Sequence, residues 1–419
     1  MFQTIVNAFK IKDVRKKIFI TILLLFIYRL GCYIPVPGIA TVNLEGFTFL
    51  QIMSAVSGSA LSYGTFFAMG IGPYINASII IQLISVASPR LQALSKQGEE
   101  GRRKLNNITR IITLVLAVAQ SVGILLGVTT IEHNHLFGSS VPALNYIFLV
   151  LVYTSGAALT MWIGERITDY GISNGISLLI FAGLLSSAGS AIIRLFTNWT
   201  DSSVWVIVGF LAATVLIFGA ITTVHNAERK VLVQYAKQVK GRKMYGGQST
   251  HIPIKVNSSG VMPLIFSFSI LSFPDLVTNL LGWETSWWQR NIGTDSWAYI
   301  VLLCVLILFF SYFYNQIQFN PDDISKSIQG NGGFIPGIRP GKPTADYLKK
   351  TANRITLFGA IFLALVALIP SLIFKAVGGS GLANVFSATG LLIIVSVALE
   401  FEQALQSQIM MKNYKGFLK

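Results

Sequence analysis

Charge is what this sequence has least of. Only 12% of its 419 residues are charged, about half of the ~25% carried by an ordinary soluble chain, which excludes a conventional water-soluble globular domain. Cysteine is nearly absent. Cys32 and Cys304 both fall within apolar runs and read as small buried hydrophobes, which excludes a disulfide framework or a thiolate metal site. The four histidines, His133, His135, His225 and His251, are all assigned to loops. No His-Glu-x-x-His and no phosphate-binding Gly-rich loop followed by lysine occurs. The "GISNG" at 171–175 matches a Gly-x-Ser-x-Gly pattern, but a nucleophilic serine needs a base and none is within reach. The chain is therefore read as no enzyme, with no metal and no cofactor. The middle of the apolar runs holds almost no carboxylates either; Glu165, Glu400 and Glu402 stand at their ends. Ion-driven carriers keep acids at depth, so this scarcity weighs against one.

What is present is hydrophobicity in blocks. The chain is 53% hydrophobic, arranged in runs of about 20 residues, the length that crosses a bilayer core as a helix. Ten spans are predicted, near 18–37, 69–88, 108–128, 144–163, 174–195, 204–224, 259–281, 297–318, 355–374 and 383–403. The fold class is an all-α polytopic membrane protein. No secretory signal is read at the start; residues 1–17 form an amphipathic basic helix and the first apolar run is retained. An even number of spans puts both termini on one side. Counting basic residues at span ends with the adjoining segment, Lys and Arg number 28 on that side against 3 on the other, and Arg29, inside span one, completes the 32. The positive-inside rule then makes the termini cytoplasmic and accounts for the net charge of +15.

Ten spans divide as five and five, 18–200 and 201–404, followed by a tail at 405–419. An odd number per half makes the halves inverted, an arrangement that transport folds place around a central pathway. Two irregularities point to such a pathway. In "GIGPYINASIIIQL" at 70–83, a helix breaker sits where a span should run unbroken. The Gly- and Ser-rich residues 46–68 before it look like a short helix entering only partway, which is tolerated where protein or a cavity surrounds it. The loops at about 225–258 and 319–354 are longer than passive connections and are expected to be ordered docking arms.

The motifs now point to a family. "FIYRLGCYIPVPGI" at 26–39, "AMGIGPYINASIIIQL" at 68–83, "GEEGRRKLNNITR" at 98–110, "GERITDYGISNGISLLIFAG" at 164–183, "GQSTHIPIKVNSSGVMPLIF" at 247–266 and "GGFIPGIRPGKPT" at 332–344 resemble the SecY family, the pore subunits of the bacterial general protein-export channel, in order along nearly the whole chain. The resemblance implies two inverted five-helix halves around an hourglass pore, with a plug helix at about 48–66. It implies a constriction ring at Ile71, Ile75, Ile180, Ile265 and Ile393, and a lateral gate between spans two and seven with Gln82 and Asn257 as candidate contacts. It implies docking of the motor ATPase SecA and of the ribosome at Arg242, Lys243 and Arg339, small partner subunits SecE and SecG, unfolded secretory and membrane-protein precursors as cargo, and the bacterial cytoplasmic membrane as location. A small-solute carrier of inverted-repeat type and an accessory family member with restricted clients are the alternatives.

Overall fold

A computed structural model describes residues 2–37, 39, 53–127, 142–197, 204–235, 238–240, 243–245, 249–257, 260, 262–280, 296–377 and 388–416. Helix α1 (Phe2–Lys10) is followed by α2 (Lys12–Gly31). The expected boundary at residue 17 is thereby corrected. The chain breaks at Ile11, whose backbone is extended (φ −92°, ψ 114°), and one helix then carries both the basic residues and the first apolar run. It ends at Gly31, before Pro35 and Pro37, which cannot continue a helix. The remaining helices are α3 (Gly72–Ala87), α4 (Pro89–Lys96), α5 (Glu99–Gly127), α6 (Pro142–Tyr170), α7 (Gly175–Thr197), α8 (Val204–Asn226), α9 (Met262–Leu280), α10 (Trp297–Gln318), α11 (Pro321–Gly330), α12 (Lys342–Val377) and α13 (Ala388–Gly416).

Among the described residues, four stretches, in α5, α6, α10–α11 and α12, are long and apolar enough to cross a membrane; shorter apolar stretches lie in α3, α7, α8 and α9. Their outward faces are oily. Ile111, Val115, Val215, Leu216 and Phe358 are between 64% and 74% exposed. Apolar surface of this extent in water would drive association; against hydrocarbon it is the appropriate exterior. The chain is a multi-pass membrane protein.

The helices sort into two groups. Among α2 to α7, α2 packs on α6 and α7, α3 on α5, and α5 on α6. Among α8 to α13, α9 packs on α10, α10 on α12, and α13 on α8 and α12. The groups meet where α5 touches α9 and where α7 touches α13. The largest apolar cluster draws on both groups, including Tyr28, Ile71, Ile180, Leu264, Ile307 and Ile393.

The expectation of an all-α chain is corrected in the two long loops. Strand β1 (Glu228–Tyr235) pairs antiparallel with β4 (Ser249–Lys255) on one edge and with β5 (Gly333–Phe334) on the other, while β2 (Gln238–Lys240) and β3 (Lys243–Tyr245) form a separate hairpin. The register runs from Glu228 opposite Lys255 to Gln234 opposite Ser249. The physical reason is period-two alternation: Val231 and Val233 turn inward, with Lys230 and Gln234 exposed. Val231, Val233, Ile254, Ile328, Ile335, Leu348 and Ala352 form one buried core. The second loop thus supplies a strand to the first loop's sheet, and the two loops fold as a single unit.

Candidate functional site

The broken helix has a local cause. Gly70 sits at φ +51° and, with a side chain, would press on Ser57; glycine takes this conformation at no steric cost. Ile71 then caps α3 and Pro73 occupies its first turn, where a missing N–H leaves nothing unsatisfied. A Cβ on Gly72 would lie 2.2 Å from the Met53 methyl. Glycines at 70 and 72 therefore let α3 begin in direct contact with the segment that precedes it.

That segment covers the expected plug. Residues 48–52 lie outside the described residues. The rest is helical only over 53–56, and turns carry the chain to α3, so the expected short helix over 48–66 is corrected for its described part. Positive φ at Gly58, Ser59, Gly64 and Gly70 explains why the helix does not continue. The irregular backbone is satisfied from neighbouring protein. Phe66 N–H donates to Ile34 O at 2.9 Å and Val36 N–H to Gly64 O at 3.1 Å, and Ser187 Oγ donates to Ala55 O at 2.9 Å.

Beside the start of α3 lies a cavity of about 310 Å³. Ile75 from α3, Ile180 from α7, Ile265 from α9 and Ile393 from α13 all line it, so both helix groups contribute. Its polar lining comprises Asn174, His225, Lys255, Asn257, Gln318, Glu400 and Gln403, with Ser78, Ser177 and Ser396. Lys255 Nζ donates to Gln403 Oε1 at 2.7 Å. Ile71 does not join the other four isoleucines on this lining. It is 2% exposed, and its Cδ1 lies 3.7 Å from where a Cβ on Gly164 would stand. Ile71 is in the same apolar cluster as Ile180 and Ile393, against which Ile75, Ile265, Ala55 and Val56 also pack.

The two expected gate residues are differently placed. Gln82, on α3, donates from Nε2 to Ser78 Oγ at 3.1 Å and accepts at Oε1 from the Tyr314 hydroxyl of α10. Asn257 precedes α9 in a turn, is 8% exposed, and its Oδ1 has no hydrogen-bond partner among the described residues. The polar bond from α3 therefore goes to α10, and Tyr314 is a residue that sequence reasoning missed. Its only signal was a tyrosine in an apolar run, an amphipathic group that seeks a partner for its hydroxyl. His225 was missed in another way. It lies in the last turn of α8 and lines the cavity, and His251 lies in β4, so neither is in an irregular loop as expected. His133 and His135 lie outside the described residues.

Of the docking residues, Arg242 lies outside the described residues and Lys243 opens β3, in register with Lys240. Arg339 is exposed between Gly337 (φ +81°) and Gly341 (φ +95°). Its turn is tied down from both sides. Thr344 Oγ1 donates to Arg339 O at 2.8 Å, and Ser325 Oγ to Gly341 O at 2.7 Å. The fixed turn anchors the backbone of an exposed arginine, whose planar donor fork suits bidentate recognition of a carboxylate.

A helical membrane protein whose two helix groups both contribute isoleucines and polar groups to one cavity has the form of a channel for a chain or solute. The family model described as SecY matches residues 65–402, and the chain belongs to the SecY family. It is 40% identical to the protein translocase subunit SecY of Corynebacterium glutamicum, with 100% of both chains covered. Its fold is that of a solved protein-conducting channel (TM-score 0.66, 17% identity, 94% of this chain and 92% of that one). It also resembles Sec61 in a canine ribosome–channel complex from the endoplasmic reticulum (TM-score 0.59, 16% identity, 94% and 92% covered).

Proposed function

We infer that this chain is the pore-forming subunit of a protein translocase, passing unfolded polypeptides across a membrane and releasing apolar segments sideways into lipid. The observation that carries this reading is the set of isoleucines from both helix groups around one cavity. Aliphatic side chains offer a hydrated ion nothing in exchange for its water, so a narrow oily ring gates by dewetting. The same surface makes no directional bond to a passing chain, which lets unrelated sequences slide. The stiff χ1 of isoleucine keeps the ring defined.

In this reading ten spans form two inverted halves, both termini face the cytoplasm, and the membrane is the bacterial cytoplasmic one. The segment before α3 is the plug, seated against the collar and displaced by an entering chain. The gap between α3 and α9 is the lateral gate, with the Gln82–Tyr314 bond and Asn257 at its borders. The sheet-bearing loops face the cytoplasm and, with Arg339, Lys243 and Arg242 as their basic contacts, receive SecA or the ribosome; basic residues suit rRNA phosphates, whose binding falls with salt. SecE and SecG complete the channel. The chain supplies a route and no catalysis, so a partner supplies the energy.

The test is capture of cargo. A stalled secretory chain is expected to crosslink to cysteine at Ile75→Cys or Ile265→Cys and not at the outward-facing Val115→Cys. Failure at the first two positions with efficient targeting would overturn the route. A solute carrier would instead bind a small solute saturably and keep its resting ion tightness after loss of residues 48–66.

A further inference from the structure

Arg29 is a full charge in the last turn of an otherwise apolar helix, α2. An ionisable group so placed is functional by default expectation, and the structure shows what it holds. Its Nη1 donates to the backbone carbonyl of Gly58 at 3.1 Å. Its Nη2 donates to the Ser186 hydroxyl on α7 and to the Tyr33 hydroxyl at 2.9 Å. The guanidinium carbon lies 4.7 Å from the Tyr33 ring centre. One side chain thus ties three parts of the chain together: the end of α2, the middle of α7 and the turn at Gly58.

The site is shaped for this contact. A Cβ on Gly58 would stand 2.2 Å from Arg29 Nη1, and one on Gly183, a turn before Ser186, would stand 1.8 Å from Val56 O. Glycine at both positions lets the segment's backbone come within reach of the guanidinium and of α7. The acceptors are a carbonyl and two hydroxyls, with no carboxylate among them. Charge-assisted bonds of this kind are stronger than neutral ones. They lack the ion pair that, in a low-dielectric interior, would be most costly to separate. They are therefore suited to hold a segment that must later leave.

We propose that Arg29 is the latch of the closing segment: it pins residues 55–58 to α7 in the resting channel and sets how readily the channel opens. This rests on the reading of that segment as the plug. Arg29 is a positioning residue and need not touch cargo. Losing one or two charge-assisted bonds is expected to raise the open population about tenfold to a hundredfold.

The test uses the full translocase in its membrane. Arg29→Gln should raise resting ion conductance about tenfold or more and admit a precursor with a weakened signal sequence. Arg29→Lys, which keeps the charge without the planar fork, should fall between. Ser186→Ala should show a smaller increase. A tether between Ala55→Cys and Ser187→Cys, the pair already joined by a hydrogen bond, separates the latch from the plug reading. In the otherwise unaltered protein the tether should block export, and reduction should restore it. In Arg29→Gln the tether should return conductance to the resting level, which a misfolded protein would not do. If the tether leaves export intact, the plug reading fails. If the tether blocks export but Arg29→Gln keeps resting conductance and signal stringency, the latch alone is overturned.

Discussion

Two parts of this molecule solve opposite problems. The segment between residue 53 and α3 has an irregular backbone, with positive φ angles at Gly58, Ser59, Gly64 and Gly70; Leu61, Phe67 and Met69 bury its later part, while residues 55–58 are held by single bonds to neighbouring helices and serve Arg29 as a neutral acceptor. The unit built from β1, β4, β5 and α11 is held by a paired ladder over a core in which Leu348 is fully buried. A ladder over a packed core moves as one body. The backbone contacts of residues 55–58, made to separate side chains and seated on glycines, form no such ladder. Under the proposed function, the difference separates what would move when a chain enters from what would stand still while a partner pushes.

The largest effect should come from charging the collar. Ile75→Asp together with Ile265→Asp places two carboxylates on the cavity lining; if that lining holds ions back by dewetting as proposed, cation conductance at rest should rise at least about tenfold. Unchanged ion tightness measured in planar bilayers would break the contrast between a sealed pathway and a movable closure. On the rigid side, if Arg339 docks SecA as proposed, Arg339→Glu should lower SecA-driven export about tenfold or more, because reversing a charge paired with a partner costs about 2–5 kcal/mol. The amount of protein in the membrane should not change. Thr344→Ala, which frees the Arg339 carbonyl, should give a weaker version of the same defect.

The core beneath that unit sharpens the comparison. Leu348→Ala should cost about 2–5 kcal/mol of local stability, read as faster amide exchange across β1 and β4. Exchange in α3 and resting conductance should stay as they were. A conductance change would show that the two regions are coupled and not independent.

How much of this could be read beforehand depended on range. Apolar runs along the helices were legible because hydropathy is a property of neighbours in sequence. The strands were not, although Val231 and Val233 alternate with polar residues, because a β-bridge from Tyr235 to Gly333 joins loops nearly a hundred positions apart. Arg29 could be flagged as anomalous, but its Ser186 partner is 157 residues away and no local pattern names it. The isoleucines were separable from lipid-facing ones through family resemblance alone. Placing Ile71 against Gly164 and off the cavity lining needed packing that depends on the whole fold. Asn257 was assigned to the gate by its polarity, yet the polar bond from Gln82 runs to Tyr314.

That last bond gives the smallest predicted effect. Gln82→Leu removes the acceptor of the Tyr314 hydroxyl at the contact between α3 and α10. Side-chain bonds between helices in membranes average about 0.6 kcal/mol, so channel stability should barely shift. The rest of the contact is apolar, with Ile79, Phe266, Phe310 and Tyr314 buried together, and leucine extends that surface. If α3 must part from α9 and α10 for a signal sequence to insert, a leucine there should strengthen the closed seam by a few-fold at most. Precursors with weak signals should then be exported less while those with strong signals are unaffected. A Gln82→Leu channel with unchanged signal discrimination would place the moving seam elsewhere, and Asn257, buried with an unpartnered Oδ1 beside the cavity, would be the next residue to substitute.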